Sequence, residues 1–171
     1  MKTVLKLVAV TIVVFFLGRQ LLWLVASDET QIRWTVEEMI EGFNDVRLAK
    51  ATGGIHREWR SSSEKLSKSY LQDGLRYLFT QEKHPETRAF LYRAEIVEDS
   101  LSIEIDERTA QVDVEVRFLR LVGEEPEPVW HVALRNQFVE TEERGWQVKL
   151  TEHKNLEGRD LRNRYRGPRN P

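Results

Sequence analysis

Between Leu101 and Thr151 apolar and polar residues alternate with a period of two, and this alternation limits the fold more than any other feature of the chain. Leu101, Ile103 and Ile105 alternate with Ser102 and Glu104. Val112, Val114, Val116 and Phe118 alternate with Asp113, Glu115 and Arg117. Trp130, Val132, Leu134 and Phe138 are interleaved with His131, Ala133, Arg135 and Gln137, and Trp146, Val148 and Leu150 with Gln147, Lys149 and Thr151. Successive side chains of a strand point to opposite faces, so each run reads as a strand with one buried and one wet face. The polar connections Asp106–Thr109, Gly123–Pro128 and Glu142–Gly145 suit hairpins, which predicts a four-stranded antiparallel meander.

A slip of one residue would turn every apolar side chain outward, so the register is constrained too. Pairing Ile103 with Val112, Val116 with Leu134, and Phe138 with Val148 or Leu150 keeps one face apolar throughout. The opposite face then carries Glu115 near Arg135, with Arg117, His131 and Lys149 around them. Such a mixed-charge surface suits solvent, a second copy of the chain or another protein.

The preceding part of the chain has helical spacing. Asp28 is placed to cap a first helix, with Gln31 in capping-box position, and Ile32, Val36, Met39, Ile40 and Phe43 form its apolar face. Gly53-Gly54 ends it. Ser61 and Glu64 form a second capping box before a helix whose inner face is Leu71, Leu75, Leu78 and Phe79, closed by His84-Pro85. Helices followed by an antiparallel meander define an α+β class.

A different composition precedes all of this. Val4 to Ala26 is almost wholly apolar. The uncharged piece Leu7–Gly18 makes about 18 Å of helix at 1.5 Å per residue, too short for a bilayer core of about 30 Å. Val4–Ala26 makes about 34 Å, which is enough, with Arg19 near enough to one end to reach the headgroups. The expectation is an uncleaved single-span anchor over residues 1–26. The alternative is a signal segment cut after Ala26 and a secreted domain, although Leu24 is bulky for a peptidase site. Lys2 and Lys6 before the span and Asp28 and Glu29 after it put the N-terminus in the cytoplasm and the domain outside, the periplasm in a bacterium. The chain has no cysteine, so neither a disulfide nor a lipid-attachment thiol is available.

The order of these elements, residues 28–156 with helices first and a long meander packed on them by one face, resembles the NTF2-like superfamily, an α+β cone also described as SnoaL-like or cystatin-like. Phe43-Asn44-Asp45 at the end of the first helix is a local echo of it. The resemblance implies a domain over residues 27–156 and a concave apolar face that can line a ligand pocket. The candidate pocket residues are then Asn136, which interrupts the apolar series of the third strand, Asp99, which shares the parity of Leu101, and Trp130. Enzymes of the ketosteroid-isomerase type in this superfamily use a pocket carboxylate as base, with donors opposite. That role would fall here to Asp99, with Tyr70 or Tyr77 as the phenol.

Charge and spacing limit the remaining chemistry. The net charge is −2 and every acidic residue follows Ala26, which argues against a general affinity for nucleic acid. His56, His84, His131 and His153 lack metal-ligand spacing, and neither a metal nor a cofactor is implied. Ser61-Ser62-Ser63 lacks the glycine setting of a nucleophile elbow. Residues 157–171 form a basic tail with Arg159, Arg162, Arg164 and Arg166, suited to anionic lipid or an acidic partner, or to solvent alone. Two functions follow. One is a membrane-tethered, non-catalytic binding or assembly module on the outer face of the membrane. The other is a small-molecule-binding protein or enzyme of the ketosteroid-isomerase or SnoaL type.

Overall fold

In the computed structural model, which describes residues 26–62, 66–122 and 125–158, three of the four alternating segments form strands longer than the helices that cover them. The elements run α1 (Asp28–Asn44), α2 (Leu48–Ala51), β1 (Ile55–Ser61), α3 (Lys68–Gln81), β2 (Tyr92–Ile96), β3 (Ser102–Asp106), β4 (Thr109–Arg120), β5 (Glu127–Thr141) and β6 (Gly145–Gly158). The sheet is mixed and six-stranded in the order β1-β6-β5-β4-β2, with β3 also pairing β4. The predicted four-stranded meander is therefore its central and longest part, extended by one strand on either side.

Both added strands have a physical reason for being hard to read. β1 lies parallel to β6, with a register shift between Ile55 and Arg60. Its buried residues Ile55, Trp59 and Ser61 share one parity, but Arg57 between them is exposed and polar and interrupts the alternation. Ser61 thus lies in a strand, and the cap of α3 is Ser67, whose hydroxyl accepts from the Tyr70 amide. Likewise Ser27, one residue before Asp28, caps α1 by accepting from the Thr30 amide. β2 is only five residues long and pairs with the half of β4 that β3 leaves open. At the break between them the Ser100 hydroxyl accepts from the Glu115 amide at 3.1 Å, so a side chain completes the ladder.

Ile103 lies opposite Val112 and Phe138 opposite Val148, as the apolar pattern requires. Val116 faces Val132, and Leu134 faces Val114, two residues from the expected pairing and on the same face. The charge pairs shift with it. Arg135 sits opposite Asp113 and donates to it at 2.9 Å, and Glu115 lies 2.9 Å from His131. Register shifts at Phe118/Leu119, His131/Val132 and Gln137/Phe138 bend β4, β5 and β6 into a cone.

Side chains tie the helices to this sheet at their ends. The Asn44 amide donates to the Ala94 carbonyl at 2.9 Å and accepts from the Ala94 amide at 2.7 Å, a two-point clasp on edge strand β2. Phe43 beside it packs edge-on or tilted against Phe79, Phe90 and Phe118, with ring centres 5.4–5.7 Å apart. At the other end of α1, Asp28 accepts from the Trp146 indole at 3.1 Å. Gly42 allows the end of α2 to pack directly on α1, because a Cβ there would lie 2.3 Å from the Ala51 backbone nitrogen.

Among the described residues no helix is long and apolar enough to cross a membrane. The expected anchor lies, apart from Ala26, outside the described residues, as does the basic tail from Arg159 onward.

Asn44→Ala leaves two part-buried backbone groups of β2 without partners. It is expected to lower the free energy of unfolding by about 2–4 kcal/mol in urea denaturation, with Asn44→Asp, which keeps the acceptor oxygen, losing less.

Candidate functional site

Two core clusters fill the cone, one around Phe43, Phe79 and Trp130 and the other around Ile32, Trp59, Phe138 and Trp146. A cavity of about 290 Å³ lies between them and is lined by both. α1 contributes Val36, Met39, Ile40 and Phe43, and α3 contributes Leu71, Leu75 and Leu78. The floor is the concave face of the sheet, with Val114, Val116, Leu134, Phe138 and Val148. Gly74 also lines it from α3. Since Gly74 lies three residues after Leu71 and four before Leu78, it sits on the same helix face, where a missing side chain leaves volume.

Six side chains with a polar group line the otherwise apolar wall below the helices: Trp59 and Ser61 of β1, Trp130 and Asn136 of β5, and Thr151 and His153 of β6. Three of them are joined across neighbouring strands. The Trp59 indole donates to the Thr151 hydroxyl at 2.9 Å, and that hydroxyl donates to the Asn136 carbonyl oxygen at 2.8 Å. Asn136 is only 7% exposed and lies directly opposite Thr151 in the ladder. No Asp, Glu, Lys or Arg is among the described residues of the lining. Lys68, at the start of α3, instead donates to the Ile55 carbonyl at 2.5 Å and fastens the helix to β1. Its pKa is lowered by burial and further by the charge of Arg144.

The sequence-derived candidates separate clearly. Asn136 and Trp130 line the cavity. Trp130 stacks on Phe118 at 4.9 Å, and its indole nitrogen donates to Asn155 at 2.7 Å. Tyr70 and Tyr77 stand at the rim, each 41% exposed. Asp99 does not reach the cavity. It is exposed in the turn between β2 and β3 at φ 59°, where the chain reverses before Leu101, so sharing the parity of Leu101 does not bring it to the concave face. The carboxylate proposed as a general base is therefore absent from the described wall. Trp59, Thr151 and Gly74 were missed. A glycine within the apolar face of a helix was the available signal for the last of them.

The opposite, outer face of the sheet carries a depression of about 490 Å³ among Glu104, Gln111, Arg135 and Glu152. No group of three or more metal-ligating side chains occurs among the described residues.

No protein-family model matches the sequence, and no curated protein matches it. Solved structures do match in fold. An NTF2-like protein with a cystatin-like fold from Novosphingobium aromaticivorans is 16% identical, with 84% of this chain and 90% of that one aligned at a TM-score of 0.59. An NTF2-like superfamily protein from Salmonella enterica serovar Typhimurium is 6% identical over 76% of this chain and 92% of that one, with a TM-score of 0.57. A protein of unknown function from Mycobacterium tuberculosis is 8% identical, covering 74% and 75%, at 0.60. The domain thus has the NTF2-like, cystatin-like fold, and the likeness is one of fold.

Asp99→Gly is expected to leave the binding of an apolar fluorophore to the cavity unchanged and to alter stability by no more than about 1 kcal/mol, since glycine accepts the left-handed backbone at that turn. A loss of binding in a titration would return Asp99 to the site.

Proposed function

We propose that the domain is a non-catalytic binding module that holds one small apolar molecule inside the cone. The observation that carries this reading is the cavity of about 290 Å³ between α1, α3 and the sheet, with apolar walls and no acidic or basic chain from Asp, Glu, Lys or Arg among its described lining. Burial of apolar ligand surface would supply the affinity, at about 25 cal/mol per Å², and the few polar groups below would orient the ligand. The carboxylate a ketosteroid-isomerase chemistry would draw on, Asp99, is exposed in the turn between β2 and β3, which favours the binding reading. An environment-sensitive naphthalene fluorophore is expected to bind the domain saturably at one site. Gly74→Leu puts a side chain into the cavity and replaces a poor helix former. It should weaken that binding at least tenfold while leaving the thermal midpoint unchanged or raised. Equal binding by the variant would place the fluorophore elsewhere and remove the cavity reading.

We further propose that residues 4–26 tether this module to a membrane with the domain on the outer side. The Trp146–Asp28 bond secures the start of α1 to the sheet two residues after Ala26, so a span ending there would hold the domain against the bilayer surface. Because the chain has no cysteine, Ser62→Cys gives a single thiol on an exposed loop. In intact cells expressing the full chain it should react with a membrane-impermeant maleimide. Labelling only after lysis would reverse the orientation.

A further inference from the structure

The three-strand chain of hydrogen bonds beneath the cavity fixes the direction in which Asn136 presents its amide. An indole N–H can only donate, so Trp59 occupies a lone pair of the Thr151 oxygen. The Thr151 hydroxyl carries one hydrogen and gives it to the Asn136 carbonyl oxygen. That leaves the Asn136 Nδ2 group turned away from Thr151. Its two hydrogens meet no acceptor among the described residues, although the residue is 7% exposed and lines the cavity. Buried polar groups are nearly always paired, and an unpaired donor inside an apolar wall marks the place of an acceptor that comes from elsewhere.

We infer that the cavity selects an apolar molecule carrying one neutral hydrogen-bond acceptor, a ketone or ester carbonyl, which receives the Asn136 Nδ2 hydrogens. Thr151 and Trp59 act as positioning residues that keep the amide from turning over. This rests on the binding reading above and adds the chemical class of the ligand. A carboxylate is disfavoured, because no Lys or Arg is among the described lining residues to offset the cost of removing its charge from water. Size narrows the class. At an interior packing density of about 0.74, a cavity of about 290 Å³ takes roughly 215 Å³ of ligand, on the order of a ten-carbon alicyclic ketone.

The test uses three probes built on one ten-carbon ring, cyclodecanone, its isostere methylenecyclodecane and the anion cyclodecanecarboxylate, each displacing the naphthalene fluorophore from the full chain in detergent. The ketone should bind at least fivefold more tightly than the olefin, in which C=CH2 replaces C=O, and more tightly than the carboxylate. In Asn136→Leu the olefin should bind within about twofold of its wild-type affinity, which reports an intact cavity, while the preference for the ketone disappears. Thr151→Val should lose the preference as well, and Thr151→Ser, which keeps the hydroxyl, should retain it. Equal binding of ketone and olefin by the unaltered chain overturns the carbonyl inference and leaves the cavity reading standing. A carboxylate that binds more tightly than the ketone overturns it too. Failure of the fluorophore and all three probes to bind overturns both readings together.

Discussion

One apolar face, shared by three long strands, has to be covered by two helices that are too short to cover it flat. β5 has 15 residues and extends over about 50 Å at roughly 3.3 Å per residue. α3 has 14 and measures about 21 Å at 1.5 Å per residue. A flat sheet of that length would leave apolar surface in water at either end. The register shifts in β4, β5 and β6 remove the mismatch by curling the sheet around the helices. Curvature is therefore what allows so little helix to close the core, and a cone closed in this way has an interior.

Where the helices lie inside that cone is decided by a few directional bonds more than by apolar contact. Asn44 grips the backbone of β2, Lys68 grips that of β1, and Trp146 holds the first turn of α1. Each joins a helix end to a different part of the sheet, so neither helix can slide inward to fill the space beneath. The cavity persists because closing it would break these bonds, and because Gly74 supplies no side chain to occupy it. The Trp59–Thr151–Asn136 chain follows from the same geometry. Polar groups enclosed by apolar walls must satisfy one another, and three adjacent strands bring them within 2.9 Å.

The outer face obeys weaker rules. Its bridges, such as the one between Asp113 and Arg135, are largely exposed and contribute little in water. They adapt to a register that the inner face has already chosen. The expected pair of Glu115 with Arg135 shows this, since the observed register gives each a different partner while Val114, Val116, Val132 and Leu134 keep to the inner face. In β6, past the shift at Gln137/Phe138, Leu150 instead pairs with the outward Gln137 and Thr151 turns inward beside Asn136.

Periodicity by itself determined the α+β class, the two covering helices, the three hairpin-linked long strands with β3, and the inward direction of Asn136 and Trp130. Those features follow from side-chain direction along a single element, which is a local property of the chain. Other features required contacts between distant residues. β1 is a strand because β6 offers it a parallel edge, and the exposed Arg57 interrupts the alternation that would have revealed it. Ser61 and Ser67 stand before equally plausible helix starts, and only pairing with β6 assigns the first to a sheet. Asp99 has the parity of an inward residue, but a left-handed turn, invisible to parity, carries it to the surface. The cavity is furthest from sequence, because an empty volume is set by how closely whole elements approach, and that distance is fixed by bonds such as the one from Asn44 to Ala94, fifty residues apart.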